Sequence, residues 1–525
     1  MKKSFFFVCL CMLALAMVVS CAEPEAEVKS YTVAFDSNGG SEVATVVVKE
    51  GEKVAKPENP LMDGYGFISW MLDGKLYDFN SAVNSDITLT AKWFSIWDGS
   101  SVDTSWYSSE KERFVLTSAS QLAGLAKLVN EGASFEGKKV ELGIDVDLAS
   151  KPWTSIGTGE RSGKGIAENS NAFSGRFDGC GYYIENLAIV DSGSKDNCVG
   201  FFGIIKGGNV TNVTFKNAKV VSDKSSVSGI AVGYAVENSV VDSITIEEGS
   251  SITAIEAGGI VGRMTVSGSI SDCENHAHVT TKSGGAGGIV GKAYYSEDNK
   301  SIRIDNCRNY GVIESSTGGY VGGIAGLFAG EMTSCENSGR VSGNGTSIGG
   351  VVGEMTNYGF VRESTNNGEV VCISEKNDNY GLGGIVGWIR YQNNASAYAR
   401  TGIIEISGNT NNGTISGNSA GVGGVVGMLF NAGCIEDNTS NAASIKGSLF
   451  VSGIVGAHQI NNENSLSSDA YVSKTTFKNN VSTTRNECIV GISESPCCAT
   501  IVYLNSSEKI PAENISGNSP ENVNL

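Results

Sequence analysis

Short apolar segments alternate with glycine- and asparagine-rich turns along most of the chain beyond residue 200. The most regular element is a five-residue box in which two glycines precede two apolar residues and a final glycine. The final glycines of this box recur at intervals of 27 to 40 residues. The close copies are Gly258–Gly262, Gly287–Gly291, Gly322–Gly326, Gly349–Gly353, Gly383–Gly387 and Gly423–Gly427, and weaker copies end at Gly203, Gly233, Gly456 and Gly491. A period in this range is typical of a solenoid built from stacked repeats.

A second box lies between the glycine boxes and has a cysteine followed two residues later by an asparagine. Its clearest copies contain Cys273, Cys307 and Cys335, and a short β-prone segment follows each. One repeat alone cannot bury its apolar residues, whereas stacked repeats share a continuous core. Glycine and β-branched residues in mid-repeat disfavour a helical solenoid. The pattern therefore predicts an all-β fold, a right-handed parallel β-helix of about ten coils.

Equivalent positions of neighbouring coils stack on one another in a β-helix. Cys273, Cys307 and Cys335 are therefore predicted to face inward as small apolar side chains, although a disulfide among them is an alternative. The same inward position is predicted to hold Thr365 and Thr410 in later coils.

The two boxes together resemble the GLUG motif. That motif occurs in bacterial surface proteins and in non-catalytic regions of immunoglobulin A protease-type enzymes. The copy that ends at Gly233 departs from the pattern because it has one leading glycine instead of two. The resemblance implies a surface location and a non-catalytic role for the repeats.

The ends of a β-helix need covers, because its terminal coils would otherwise expose unpaired strands. Ser118 and Gln121 form a capping-box pattern, and apolar residues follow at helical spacing. A helix over residues 117–131 is therefore predicted to close the N-terminal end. The β-helix is assigned to residues 113–505, after a connector at 95–112, and residues 506–525 are expected to form a cap or a loose tail.

Residues 31–94 form a separate module of short alternating strands and glycine-rich turns. The segment opens with Phe35-Asp36-Ser37-Asn38-Gly39-Gly40 and closes with Asp86-Ile87-Thr88-Leu89-Thr90-Ala91-Lys92-Trp93. It resembles the Listeria–Bacteroides repeat, the internalin B-repeat type of β-grasp-like surface module. Phe67, Trp70 and Trp93 could form a ligand platform, but a domain this small needs them for its core. The core assignment is preferred.

The first thirty residues have the pattern of a secretion signal. A basic start precedes an apolar run at residues 5–19, which is shorter than a bilayer-spanning helix. Val18-Val19-Ser20-Cys21 resembles the lipobox of bacterial lipoproteins, which implies removal of residues 1–20 and lipidation of Cys21. The acidic tether at residues 21–30 resembles the export signal of Bacteroidetes-type lipoproteins. The expected location is the outer membrane, lipid-anchored and facing the cell exterior.

Composition narrows the classes of function. The 38 basic and 56 acidic side chains give a net charge of −18, which argues against nucleic-acid binding. Only three histidines are present, and no metalloprotease, phosphate-loop or nucleophile-elbow motif occurs. Asp272, Cys273, His276 and His278 are near one another in sequence, but the histidine positions vary between repeats as outward-facing positions do. No metal, cofactor or catalytic residue is therefore predicted.

The preferred function is a non-enzymatic adhesin or binding scaffold for glycans or proteins of a host or a neighbouring cell. A β-helix lyase or glycosidase and a passive stalk remain alternatives. The longest interval between glycine boxes has extra residues that must bulge outward from the coil. The predicted ligand-binding residues in it are Tyr391, Gln392, Asn393, Asn394 and Tyr398.

Overall fold

A computed structural model gives the fold of the 525-residue chain. Its described residues are 28–163, 165–194, 196–224, 227–295, 301–375, 379–390, 404–459, 475–483, 486–488, 501–504, 514–519 and 523–524. The chain divides into two compact units, residues 1–93 and 94–525.

The first unit is a small β module. Its strands, in the order in which they pair, are Val46–Lys49, Ser30–Asp36, Ile87–Ile96, Tyr65–Leu72 and Lys75–Leu76, and the last three residues of the third belong to the second unit. Ser30–Asp36 is antiparallel to the strand before it in this order and parallel to the strand after it. Trp70 and Trp93 are buried and Phe67 packs against both at about 5.5 Å between ring centroids. The core assignment of these aromatic residues is confirmed.

The second unit is a parallel β-solenoid with a helix near its start. The helix spans Ala119–Asn130, close to the predicted 117–131, and Ser118 accepts a hydrogen bond from the backbone N–H of Gln121. The Gln121 side chain bonds the backbone N–H of Thr117 instead of completing a reciprocal box with Ser118. Leu122, Leu125 and Val129 join the core of the first coils. Across the described part of the chain, no helix combines the length and the apolar character needed to cross a membrane.

Each coil of the solenoid runs through four faces, and strands of successive coils pair in parallel. The first face starts at the glycine box and contains Phe202–Lys206, Val232–Val236, Val261–Val266, Val290–Tyr295, Ala325–Thr333, Val352–Arg362, Val386–Arg390, Val426–Phe430, Val455–Gln459, Ile501–Leu504 and Val523–Asn524. The second face, to which the ends of Ala325–Thr333 and Val352–Arg362 also contribute, contains Arg113–Leu116, Lys139–Leu142, Arg176–Asp178, Asn209–Lys216, Ser239–Ile246, Gly268–Ser271, Ile302–Asp305, Ile404–Ser407, Cys434–Glu436, Thr476–Lys478 and Ile515–Ser516. A line of short strands follows it, at Asp145–Asp147, Tyr183–Glu185, Glu274–Asn275, Arg308–Asn309, Glu336–Asn337, Thr365–Asn366, Thr410–Asn411, Thr439–Ser440 and Val481–Ser482.

The remaining two faces are separate sheets of ten and nine strands. The third face contains Ala188–Asp191, Lys219–Ser222, Ser251–Ala254, His278–Thr281, Ile313–Ser315, Val341–Gly343, Val370–Cys372, Ile415–Gly417, Ile445–Gly447 and Asn486–Cys488. The fourth contains Cys198–Val199, Val227–Gly229, Ala257–Gly258, Ala286–Gly287, Tyr320–Gly322, Ser347–Gly349, Asn379–Gly383, Ser419–Gly423 and Leu449–Ser452. An antiparallel pair, Arg161–Ser162 with Gly165–Ile166, lies outside this ladder. The predicted all-β solenoid is confirmed.

The cysteine and glycine boxes of one repeat contact each other inside the coil. A Cβ added at Gly288 would overlap the side-chain amide of Asn309 and the carbonyl oxygen of Gly323 in the next coil. The same relation joins Gly323 to Asn337 and Gly350 to Asn366. Two sequence patterns that were recognised separately therefore form one close-packed contact.

The final glycine of the box has no side chain. It therefore lets the fourth face pack directly against the outer surface of the first face. A Cβ at Gly262 would lie 2.6 Å from the backbone of Ser228, and one at Gly291 would lie 2.9 Å from Ala257. Charged side chains are buried between these two faces. Glu256 accepts three bonds from the guanidinium of Arg263 at 2.6, 2.8 and 2.9 Å, and Lys292 lies 2.6 Å from the same carboxylate. These buried charges are paired.

The structure corrects the predicted inward position of Thr365 and Thr410. Cys273, Cys307 and Cys335 do face inward and are almost completely buried. In the strand register, however, Thr365 and Thr410 occupy the position of Glu336 in the next two coils. The position after Cys335 belongs to Ser364, whose hydroxyl accepts from the Cys335 backbone N–H at 3.2 Å, and then to a buried ladder of Asn409, Asn438, Asn480 and Asn518. The prediction was displaced by one residue.

The C-terminal coils also differ from the spacing pattern. The weak glycine box ending at Gly491 lies outside the described residues, and Ile501 pairs with Val455 on the first face. Strands at Ile515–Ser516 and Val523–Asn524 pair with earlier coils, so the ladder continues past the boundary at residue 505.

Replacement of Gly288 by alanine is expected to destabilise the solenoid, because the new methyl group would overlap backbone and Asn309. We expect the free energy of unfolding to fall by about 3 kcal/mol, at the upper end of overpacking costs. Gly165→Ala is the matched control, since a Cβ there would meet only one atom, at 4.0 Å. Urea unfolding followed by circular dichroism measures both, and equal midpoints would disprove the close packing at Gly288.

Acid is expected to destabilise the C-terminal coils through His458. Its side chain is fully buried, its Nε2 donates to the carbonyl oxygen of Asn431 at 2.8 Å, and burial lowers its pKa from 6.5 to about 4. Between these values the unfolded chain binds a proton that the folded chain excludes. Stability is therefore full above pH 6.5 and falls as the pH drops toward 4, by roughly 3 kcal/mol from this residue.

His458→Gln keeps a donor for Asn431 but cannot titrate, so its unfolding free energy should fall less between pH 6.5 and 4 than that of the wild type. His278→Gln, at an exposed position, should behave like the wild type. Identical pH profiles for the wild type and His458→Gln would contradict the assignment.

Candidate functional site on the solenoid surface

The structure places the sequence-predicted site residues as follows. Cys21 and the predicted ligand-binding residues Tyr391, Gln392, Asn393, Asn394 and Tyr398 lie outside the described residues. These positions stay predictions. The last described residue before the second group is Arg390, at the end of a first-face strand.

The four residues weighed as a metal site do not converge. Cys273 points into the core, whereas Asp272 and His278 are exposed on the outside of the coil. His276 contacts Glu274, and His278 lies 3.2 Å from Glu314.

Elsewhere in the described part of the chain, Glu141, Asp178 and Cys180 are close enough to share an ion. Their carboxylates are already paired with cations. Lys139 lies 2.8 Å from Glu141 and 3.0 Å from Asp178, and Arg113 also binds Glu141. These contacts lower the pKa of Glu141, with the bond from Arg113 as the largest cause. The group is better described as an ion-pair network than as a metal site.

A row of outward-facing side chains runs along one corner of the described solenoid. We call it the corner row, since it follows the turn between the short strands and the third face. Its members are His276, Tyr310, Ser338, Asn367, Asn412, Asn441 and Thr483. In each case the backbone N–H bonds a carbonyl oxygen of the preceding coil, which sets one member per coil.

A buried asparagine ladder lies directly beneath the corner row. Asn275, Asn309, Asn337, Asn366 and Asn411 immediately precede row members and are fully buried. Each of the first four amides donates one N–H to the next amide at 2.8 Å, and each of the five donates to the carbonyl two residues later. These bonds satisfy the buried amides and fix the backbone that carries the row.

The row members are also bonded to one another. Asn441 donates to Asn412 at 3.2 Å, Asn412 donates to Asn367 at 2.8 Å, and Asn367 donates to Glu336 at 2.8 Å. Thr483 extends this relay with a longer contact to Asn441 at 3.4 Å. The exposed amides are therefore held in defined orientations.

At the other end of the row lies an aromatic pair beside a shallow cleft. Tyr310 is 41% exposed, and its ring is stacked on His276 with centroids 4.7 Å apart. The cleft is lined by three successive coils through Glu248–Ser251, His276, His278 and Tyr310–Val312. An exposed aromatic face beside hydroxyl, carboxylate and imidazole groups can stack on a ring while polar groups orient it.

Sequence reasoning missed this surface because its members share neither charge nor residue type. The available signal was their position, immediately after the asparagine of the second box for the first five members and after Ser440 and Ser482 for the last two. The backbone bonds place His276, Tyr310 and Ser338 at equivalent positions of successive coils.

Comparison with known proteins identifies the N-terminal module. The family model of the Listeria–Bacteroides repeat domain matches residues 31–92. Two proteins of Evansella cellulosilytica, named as a membrane protein and a Gly-rich membrane protein, are each 41% identical over 71 residues, which is 13% of this chain and 11% and 8% of theirs. Halomucin of Haloquadratum walsbyi is 31% identical over 143 residues, 26% of this chain and 2% of its own length.

The matched segments are thus small parts of these relatives. A solved structure from Bacteroides ovatus, named for an immunoglobulin A1 protease, is similar with a TM-score of 0.37 and 20% identity, over 59% of this chain and 78% of that one. A likeness at this level carries no argument on function. The family match, by contrast, covers most of the described part of the first unit: residues 31–92 match the Listeria–Bacteroides repeat domain.

Proposed function

We propose that the protein is a non-enzymatic binding scaffold of the cell surface that acts as an adhesin for glycans. The observation that carries the proposal is the corner row, in which an exposed aromatic pair leads into a line of fixed polar side chains. A sugar ring has an apolar face that stacks on an aromatic ring and hydroxyl groups that bond amides and hydroxyls. Tyr310 and the relay offer both kinds of contact side by side.

Rigidity supports this role. The row is fixed by backbone bonds between coils and by the buried asparagine ladder. Binding to a surface that is already ordered costs little conformational entropy.

The proposed location is the outer face of the outer membrane, with a lipid on Cys21 as anchor. The lipobox-like sequence at residues 18–21 supports the anchor, and the names of the Evansella relatives support a membrane association. Residues 31–92 act as a spacer in this proposal. The glycine and asparagine boxes are proposed to be GLUG repeats.

Tyr310→Ala is expected to weaken glycan binding roughly tenfold, because it removes the aromatic face while leaving the asparagine ladder intact. A glycan array with the mature protein selects the ligand, and titration calorimetry then measures the affinity. Tyr183→Ala is the matched control, since Tyr183 lies on the solenoid surface beneath Lys216, three coils before the row begins.

Equal loss of affinity in both variants would show that the binding site is not in the corner row. Binding that survives Tyr310→Ala but is lost on deletion of residues 391–399 would move the site to the predicted loop. Cleavage of a saccharide by the pure protein would instead favour the β-helix enzyme.

Cys21→Ala is expected to abolish incorporation of a lipid analogue during growth and to release the protein from the membrane fraction. The wild type should be labelled, and protease added to intact cells should degrade it. A labelled, membrane-bound variant would show that Cys21 is not the anchor, and a fully protected wild type would place the protein inside the envelope.

A further inference from the structure

We propose that the ligand is a neutral, linear glycan that lies parallel to the solenoid axis and spans the corner row from Tyr310 to Thr483. This inference rests on the proposed function and adds the class and orientation of the ligand. It follows from three features of the row: its unused hydrogen-bonding capacity, its neighbours and its length.

The exposed amides keep unused hydrogen-bonding groups. A side-chain amide has two N–H donors and an oxygen with two lone pairs. Asn412 uses one donor toward Asn367 and accepts one bond from Asn441. Within the described structure, one N–H and one lone pair of Asn412 are therefore left for a ligand. Because successive amides point the same way, they present this donor–acceptor pair once per coil.

A second row of hydroxyls runs beside the amides. Thr365, Thr410 and Thr439 are paired in register on the short strands, two residues before Asn367, Asn412 and Asn441. Their side chains are partly exposed, and they have no side-chain hydrogen bond within the described part of the chain. The surface thus presents one line of amides and, parallel to it, one line of hydroxyls. This arrangement suits a glycan chain with hydroxyl groups along both edges.

Charge on this surface favours a neutral ligand. The chain has a net charge of −18, yet the segments 410–414 and 439–444, which carry the row in two coils, contain no charged residue. Closer to Tyr310, carboxylates at Glu274, Glu314 and Glu336 accompany the arginines Arg308 and Arg340. No excess of cations is present to hold an anionic chain, and carboxylates at one end would repel it.

The length of the row sets the length of the ligand. Six members from Tyr310 to Thr483 are separated by five steps of about 4.8 Å, which makes about 24 Å, or roughly five sugar residues. Affinity should therefore rise with chain length and stop rising once the row is filled.

A size series of neutral oligosaccharides, from disaccharide to octasaccharide, tests this on the full mature chain. The series is taken from cellulose, xylan, chitin and starch, with oligogalacturonates as anionic probes of equal length. We expect affinity to rise about tenfold or more from two to five residues and then to level off, since each added contact contributes a modest factor. Anionic chains should bind more weakly than neutral chains of the same length.

Asn412→Leu separates the relay from the aromatic end. Asn412 is exposed, so its replacement should leave the fold intact, which an unchanged melting temperature would establish. It should reduce pentasaccharide affinity to near that of the disaccharide and leave disaccharide binding unchanged. Asn344→Leu, at an exposed turn between the third and fourth faces, is the control and should bind like the wild type.

A flat length series, a preference for anionic chains or full pentasaccharide affinity in Asn412→Leu would overturn the inference. If Tyr310→Ala still loses binding in those cases, the adhesin proposal stands and only the axial ligand fails. If no glycan of any length binds, the adhesin proposal fails as well.

Discussion

The structure depends on one close approach, between the second glycine of the box and the asparagine of the same repeat, which Ser440 and Ser482 replace in the last two described boxes. At Gly288 a single added carbon would overlap both the Asn309 amide and the carbonyl oxygen of Gly323. The contact fixes the width of the coil, because it joins the start of the first face to the end of the short strands. It also fixes the rise between coils, since the glycine of one coil touches the next. Alanine in this position would leave no room for either.

That contact makes a buried polar ladder possible. Taking an amide out of water is costly unless its groups are bonded, and a half-bonded network is worse than an apolar one. Asn309, Asn337 and Asn366 each use both N–H groups, one along the axis and one toward their own turn. The buried ladder is therefore stable only while every coil stays in register, so it disfavours a shift of register between coils. Further along, Asn409 and Asn438 form a second ladder of the same kind.

The period and composition of the sequence were enough to predict the solenoid, because stacked repeats must place equivalent residues in line. The capping helix was also predictable, from Ser118 and the apolar spacing after it. The predicted inward position of Thr365 and Thr410 was wrong. The prediction aligned the repeats on the cysteine, whereas the asparagine two residues later sets the register between coils. The corner row could not be found from residue types: Tyr310, Ser338 and Asn412 have little in common apart from their place in the coil. Only stacking makes them neighbours.

The two layers of side chains at this corner, one buried and one exposed, have different roles. The inner layer repeats asparagine over five coils, from Asn275 to Asn411, where its hydrogen bonds and its packing against glycine favour this side chain, and Ser440 follows in the next coil. The outer layer faces solvent one residue later, so its side chains vary from coil to coil without disturbing the ladder. His276 and Tyr310 give an aromatic end, while Asn367 and Asn412 give a polar track, on one unchanged backbone. Surface substitutions away from buried features usually change stability by less than about 0.5 kcal/mol. The outer surface of this corner can therefore be altered residue by residue, because the interactions that hold the coil lie one layer below it.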